Sequence, residues 1–364
     1  MQIKQIVNYL ESWAHPALQE PYDNSGMILG DKNKNCKSAL ITLDVTEEVI
    51  DEAIAMKSNL IIAHHPLIFK GLKKIGYSHW VDKCIRKAIK HDINIYAVHT
   101  NLDNIFTGVN KKIAEKIGLT KQRILQPKPS TLVKLTVYVP KDHLGQVSAA
   151  LFEAGAGNIG NYDQCSFQSE GKGTFRGNDA SNPLIGTPGI RETVVEQCIE
   201  VLVKKHELSQ VLFAMKNSHP YEEVAYFVND LVNENQEIGA GIIGKLKDGM
   251  KTKTFLGHLK SSMNLHVIRH TKLTKDLISK VAICGGSGSF LLNAAIGEGA
   301  DIFITSDFKY HEFFEANNQI IIADIGHYES EVFTKELLRD ELSKTFAKFA
   351  FCLSKVDTNP IKYL

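Results

Sequence analysis

The segment Asn59-Leu60-Ile61-Ile62-Ala63-His64-His65-Pro66-Leu67-Ile68-Phe69 decides how the chain is read. Its short apolar run, bounded by polar residues, has the pattern of a buried strand. Pro66 has no N–H to give to a ladder, so the strand is expected to stop at the two histidines. Successive strand side chains point to opposite faces, and adjacent imidazoles on a regular strand would not easily share one ion. At a strand end the backbone can swing both rings into one pocket, where they could serve two ions about 3.5–4 Å apart. Taken alone, the pair fits a solvent-facing turn equally well, since imidazole is both a common ligand and a common polar surface group.

Working outward, Ala39 to Asp44 reads as a buried strand, and Thr46-Glu47-Glu48 supplies a cap and first-turn acids for a helix through Met56. Val81, Ile85, Ala88 and Ile89 mark a second helix, and Ile93 to Val98 is a strand running into His99-Thr100-Asn101-Leu102-Asp103. This alternation predicts an α/β sheet covered on both faces, with a site where strand ends meet loops. Upstream, Ile3, Ile6, Val7, Leu10 and Trp13 fall at helical spacing before His15-Pro16, and Pro21-Tyr22-Asp23-Asn24-Ser25-Gly26 is a turn-rich loop.

From about Leu132 the rhythm changes. Val133 to Val139 alternates as a strand, Lys141 to Glu153 as a helix, and Tyr162 to Phe167 as a strand. A long loop from Gly171 to Gly189, a helix from Arg191 to Lys205 and a strand from Val224 to Val228 are expected to follow. The order is similar to a compact ferredoxin-like module. Residues 130–238 are therefore expected to form an inserted α+β domain, and residues 1–129 plus 239–364 one split α/β core. Beyond the insert the α/β rhythm returns, with a helix over Thr252 to Met263 and strands over His266 to His270, Val281 to Cys284, Asp301 to Ile304 and Gln319 to Ala323. Ala39 to His65 and Val281 to Asp307 repeat one order, strand, helix, strand, polar residues. Two similar halves would create one site between them.

Charge and cysteine usage narrow the chemistry. Lys plus Arg is 42 against Asp plus Glu 41, a net charge of +1, which leaves nucleic acid or an anionic membrane without an electrostatic footprint. The first residues lack a signal-peptide pattern and no run approaches the roughly 18 apolar residues of a membrane helix, so a cytoplasmic protein is expected. The six cysteines are scattered without a C-x-x-C pair, which suits reduced thiols, and any metal is expected to take nitrogen and oxygen ligands.

The candidate ligands are His64, His65, Asp103, His327 and Glu331. His327 and Glu331 stand at i and i+4 on an expected helix and project from one face. Mixed imidazole and carboxylate ligands of this kind form the inventory of a two-metal hydrolytic site, in which a bridging water is deprotonated near neutral pH. Asp307 and His311 are assigned as proton-transfer or substrate residues, with a helix cap and a surface histidine as the alternative. Gly285-Gly286-Ser287-Gly288 reads as a tight turn, or as backbone able to take phosphate at a helix N-terminus, although it matches neither the dinucleotide nor the P-loop fingerprint. His219, before Pro220, reads as structural.

Together these motifs carry a resemblance. The chain resembles the NIF-three-like family of dinuclear-metal proteins, whose bacterial members are often named as homologues of type 2 GTP cyclohydrolase I. The likeness rests on Asp23-Asn24-Ser25-Gly26, His64-His65-Pro66-Leu67, His99-Thr100-Asn101-Leu102-Asp103, Gly285-Gly286-Ser287-Gly288, Thr305-Ser306-Asp307 with His311, and His327-Tyr328-x-x-Glu331. It extends into the insert through Gly160-Asn161-Tyr162-Asp163 and His219-Pro220-Tyr221-Glu222. Tyr22 stands where many relatives carry Trp, and Ser306 where many carry Gly. The resemblance implies that His64, His65, Asp103, His327 and Glu331 bind two divalent ions, Zn, Fe or Mn, with His99 a further ligand or a group behind the ligands. It also implies a ring-shaped homohexamer and a small, nucleotide-like or heterocyclic substrate opened by hydrolysis. The other reading is a non-enzymatic metal-binding assembly or regulatory protein whose insert senses an effector.

Overall fold

The strands around the histidine pair send alternate residues into two different cores. Leu60–Ala63 lies between Ala39–Thr42 and Asn94–Ala97, parallel to both. Gly26–Leu29 pairs antiparallel with Asn94–Ala97 at one edge, and Phe351–Leu353 pairs parallel with Ala39–Thr42 at the other. Parallel neighbours need crossovers, and the helices Glu47–Ala55 and Trp80–Lys90 supply them. Thr46 starts the first by accepting the Val49 N–H. Ile41, Leu60, Ile62 and Tyr96 enter one hydrophobic cluster, while Leu40, Ile61 and Ile95 enter another with Val49, Ile50 and Ile85 from the two helices. Period-two patterning with both faces buried is what a parallel sheet requires.

The structure, a computed structural model, describes all 364 residues, and its second half repeats the first. Leu277–Ser287, Ile302–Ser306 and Ile321–Asp324 are parallel neighbours. Arg269–His270, shorter than the expected His266 to His270 strand, forms an antiparallel edge. On the other side Gly239–Lys251 and Leu119–Pro127 extend the sheet antiparallel. Ile283, Ile304 and Ala323 join Ile62 and Tyr96 in a single cluster, so the two sheets bury their inner faces against one shared core. Ala282, Phe303 and Ile322 pack outward with Leu292 and Ala295 of the Leu292–Gly297 helix. The fold is therefore α/β, with two similar halves.

By packing, the chain divides into Met1–Pro127 with Gln236–Leu364, and Lys128–Asn235. The second unit runs Leu132–Pro140, Leu144–Glu153, Ser166–Phe175, Glu192–Lys204, Leu208–Ser218 and Tyr226–Asp230, or β-α-β-β-α-β. Its four strands are all antiparallel, with the second and fourth at the edges, which is the ferredoxin-like arrangement. The helix expected from Arg191 to Lys205 is instead the strand Glu192–Lys204. Ile199, Val201 and Val203 point into the core at period two, against Leu135 and Val137, and this alternation with β-branched residues outweighs the helical reading. Part of the expected Gly171 to Gly189 loop belongs to its partner strand, which pairs Phe175 with Glu192. The helix is Leu208–Ser218, burying Val211 and Met215 at i and i+4.

The connections into and out of the insert come from one place. Pro127 and Gly239 are register partners on adjacent antiparallel strands of the core sheet, so a short linker can close the gap with little loop entropy. Replacing Lys128–Asn235 by a flexible linker is expected to leave a cooperatively folded core that still takes up metal, read by thermal unfolding and elemental analysis. Loss of folding would make the insert an integral part of the core.

Candidate metal centre

Each half delivers its polar residues at the C-terminal ends of parallel strands, the edge at which open α/β sheets form sites. His64 and His65 follow Leu60–Ala63, and Asp44 follows Ala39–Thr42. His99 leads into the short helix Thr100–Asp103, which carries Asp103. From the other half, Asp307 follows Ile302–Ser306, and the helix His327–Glu331 places both of its named residues one turn apart.

Glu331 is the centre of the arrangement. Its carboxylate is 3% exposed; one oxygen lies 2.9 Å from His65 Nε2 and 3.0 Å from His327 Nε2, and the other lies 3.9 Å from His64 Nε2. His64 Nε2 is also 3.6 Å from Asp103 Oδ1. Three groups have ligand atoms within 4.8 Å of one another: His65, His327 and Glu331; His64, Asp103 and Glu331; and His64, His65 and His99.

The outer nitrogen of every imidazole is occupied. His64 Nδ1 donates to the Val98 carbonyl at 2.9 Å, His65 Nδ1 to Asp44 at 2.7 Å, His99 Nδ1 to Asp23 at 2.8 Å and His327 Nδ1 to Asp307 at 2.6 Å. Carbonyls and carboxylates only accept, so each Nδ1 carries a proton and each Nε2 is the nitrogen turned towards the cluster. His64 Nε2 and Asp103 Oδ1 are buried without any hydrogen-bond partner, an unfavourable state that a cation between them would relieve. The donor set is imidazole and carboxylate, which suits a borderline first-row metal. Cys284 lies close by, but burial, together with Asp103 and Glu331, pushes its thiol above the ordinary range and away from thiolate ligation.

Charge follows the same geometry. Burial alone would lower His65, but its hydrogen bonds to Asp44 and Glu331 push it up to about 9. His327 is likewise opposed by burial and pushed up to about 11 by the Glu331 charge and the Asp307 hydrogen bond. Burial would raise Glu331, and His327 with the other imidazoles holds it well below the usual range. Asp103, buried and repelled by Glu331, is pushed up to about 7. Asp23 is held well below the ordinary carboxylate range, the hydrogen bonds from His99 and Thr100 overcoming burial.

Seven of the eight named site residues meet here: His64, His65, His99, Asp103, Asp307, His327 and Glu331. His311 does not join them; it is exposed, with its ring against Tyr310 and Phe314. Asp307 is not a helix cap. It takes a left-handed φ of 59° and accepts from both His327 and Ser287. Two carboxylates that hold imidazoles of the cluster escaped the sequence reading, Asp23 and Asp44. Asp44 ends a strand beside the histidine strand, a position that could have marked it. Gly285-Gly286-Ser287 continues the strand rather than forming a tight turn, and the Gly285 and Gly286 N–H groups donate to Asn110 and Ser330. Gly286 has φ +63°, and a Cβ there would stand 2.3 Å from Glu331 Oε1. The glycine lets the strand approach the buried carboxylate. In the insert His219 is structural, with Nε2 donating to the Tyr138 carbonyl and Nδ1 accepting from the Tyr221 N–H.

Fold and site define a class, an α/β protein with two similar halves and a candidate metal-binding histidine and carboxylate cluster at their strand ends. The Duf34/NIF3 (NGG1p interacting factor 3) family profile matches residues 1–360. A Bacillus subtilis protein named "GTP cyclohydrolase 1 type 2 homolog" is 39% identical over 367 residues, covering 99% of this chain and 98% of that protein. A Halalkalibacterium halodurans protein of the same name is 38% identical over 365 residues, covering 99% and 98%. The crystal structure of a Bacillus cereus protein related to NIF3 matches with TM-score 0.87 and 38% identity over 100% of this chain and 99% of that one. The chain belongs to the Duf34/NIF3 family.

In protein stripped of metal, His65 and His327 are protonated at pH 7, and ligation through Nε2 requires their neutral forms. Metal loading at pH 7 is therefore expected to release at least two protons per chain, and affinity to rise with pH through the titration of His65 near 9 and on until His327 titrates near 11. Calorimetry in buffers of different ionisation enthalpy measures the release. Gly286→Ala is expected to weaken metal uptake about ten- to a hundredfold by displacing Glu331, read by competition with a chelator.

Proposed function

We propose that this chain is a metal-dependent hydrolase that holds two divalent first-row ions, Zn, Fe or Mn, and acts on a small heterocyclic or nucleotide-like substrate. The observation that carries the reading is the sharing of Glu331: one oxygen faces His65 and His327, the other faces the side of His64 and Asp103. Glu331 would serve both ions, with His65 and His327 holding one and His64 and Asp103 the other. His99 stands beside His64 and His65 as a further ligand or a proton-transfer group. The ions would supply Lewis acidity and a water deprotonated near neutral pH.

The chain's own residues do the rest. Asp44, Asp23 and Asp307 fix ring tautomer and orientation. His327 and Asp307, with side chains 36% and 45% exposed, leave one side of the cluster open to solvent and substrate. An open side favours a catalytic over a purely structural metal site. The name shared by the relatives points to GTP as a first substrate to try, and fold alone does not choose it. No helix is long and apolar enough to cross a membrane, and a ring-shaped homohexamer remains the assembly inferred from the family resemblance.

Elemental analysis is expected to find two ions per chain after mild purification. Glu331→Ala should lower occupancy at both positions and Asp103→Ala at one. Metal-loaded protein incubated with nucleotides, phosphoesters and cyclic amides should hydrolyse a member of the panel. Absence of metal uptake would remove the reading.

A further inference from the structure

Two aromatic rings stand at the rim of the cluster and have no part in holding it. Phe69 lies with its ring centroid 5.8 Å from that of His99, at 71°. Tyr22 lies 6.4 Å from Phe69, tilted by 32°. Both are well exposed, Phe69 at 43% and Tyr22 at 65%, so neither is accounted for by the core. Exposed apolar surface next to convergent polar groups is characteristic of a ligand site.

The rings are held in place. Asn24 Nδ2 donates to the Ile68 carbonyl at 2.6 Å, tying the Tyr22 loop to the Phe69 loop. Asp23, between Tyr22 and Asn24, accepts from His99 Nδ1 and from the Thr100 N–H. One short loop therefore anchors an imidazole of the cluster through Asp23 and presents an aromatic ring through Tyr22.

We propose that Phe69 and Tyr22 form a shelf on which the site seats a planar heteroaromatic ring, and that they restrict its substrates to compounds carrying such a ring. The assignment rests on reading the cluster as a catalytic centre and adds the residues that seat the ring of its substrate. A flat ring laid on Phe69 would gain stacking and bury apolar area beside His99, whereas a substrate with only phosphate or aliphatic groups would gain nothing from the shelf. The shelf sets binding, and the residues of the cluster are left to the reaction.

The test uses zinc-loaded full-length protein, with guanosine, uridine and GTP as ring-bearing probes and inorganic phosphate as the ringless one. Calorimetric titration is expected to show Phe69→Ala weakening the ring-bearing probes about tenfold, with phosphate binding and zinc content unchanged. Tyr22→Ala should act in the same direction, and Phe69→Trp should restore binding. Unchanged affinity in Phe69→Ala, or no binding of any ring-bearing probe to the unaltered protein, overturns the proposal. A changed oligomeric state of Phe69→Ala in light scattering, with probe affinity intact, also overturns it by making the shelf a subunit contact. Ring binding that depends on Phe69 without turnover of any substrate supports the shelf and removes the hydrolytic reading. Turnover of GTP with unchanged KM in Phe69→Ala removes the shelf and leaves hydrolysis standing.

Discussion

A buried carboxylate is the constraint on which the rest of this structure depends. Glu331 is almost wholly removed from water, where an isolated ionised carboxylate would be prohibitively unfavourable. It is compensated by imidazoles from both halves of the core, His64 and His65 from one and His327 from its own helix. Those imidazoles are themselves backed by Asp44 and Asp307 and by the Val98 carbonyl. Adding Asp23 and Asp103, the site gathers five carboxylates around four imidazoles. Neutral imidazoles, as ligation requires, leave that negative charge unopposed, and a pair of divalent cations would offset most of it. The same carboxylates, Glu331 with Asp44 and Asp307, push His65 and His327 well above their ordinary value.

Much of this was legible in the sequence because it depends on local rules. The Leu60–Ala63 strand was marked by its apolar run and closed by Pro66, and the i, i+4 spacing placed His327 and Glu331 on one helical face. The parts that were not legible depend on partners distant in sequence. Asp23 meets His99 across 76 residues and Asp44 meets His65 across 21, and a lone aspartate in a turn carries no sign of which imidazole it will orient. His311 shows the reverse case, a motif residue that the local pattern placed near the site and that the backbone turns towards Tyr310 and Phe314. In the insert, Glu192–Lys204 does not read as a strand because the face opposite Ile199, Val201 and Val203 mixes Glu196, Glu200 and Lys204 with Val194, Cys198 and Leu202, which blurs the period-two signal.

The repeat explains why the site can be shared between two distant stretches of chain. Each half holds three consecutive parallel strands flanked by an antiparallel strand, with Phe351–Leu353 added in parallel to the first sheet and Gly239–Lys251 and Leu119–Pro127 added antiparallel to the second. Each therefore delivers its polar loops at one sheet edge. Packing the inner faces against one hydrophobic cluster brings those edges together, and residues 266 positions apart, His65 and Glu331, meet in one cluster. The insert enters and leaves between paired strands of the second sheet, at Pro127 and Gly239. Its sequence can therefore vary in length and content without changing the register that sets the ligands.

The segment after the last strand adds a tie that neither half could supply alone. Thr358 Oγ1 donates to Asp44 Oδ2 at 2.6 Å, and Asn359 Nδ2 donates to Glu329 at 3.0 Å. Asp44 holds His65, and Glu329 lies on the helix that carries His327 and Glu331. Two adjacent residues thus link the outer support of one half to the His327–Glu331 helix of the other. Each hydrogen bond is worth only about 0.5–1.5 kcal/mol in net stability, but its effect is directional. Asp44 is fixed by Thr358 on one oxygen and by His65 on the other, so the imidazole inherits the position of the segment. Preorganisation of the histidine and carboxylate cluster is therefore a property of the folded core as a whole, assembled from strand ends, a close approach at Gly286 and a closing segment, and no single loop could carry it.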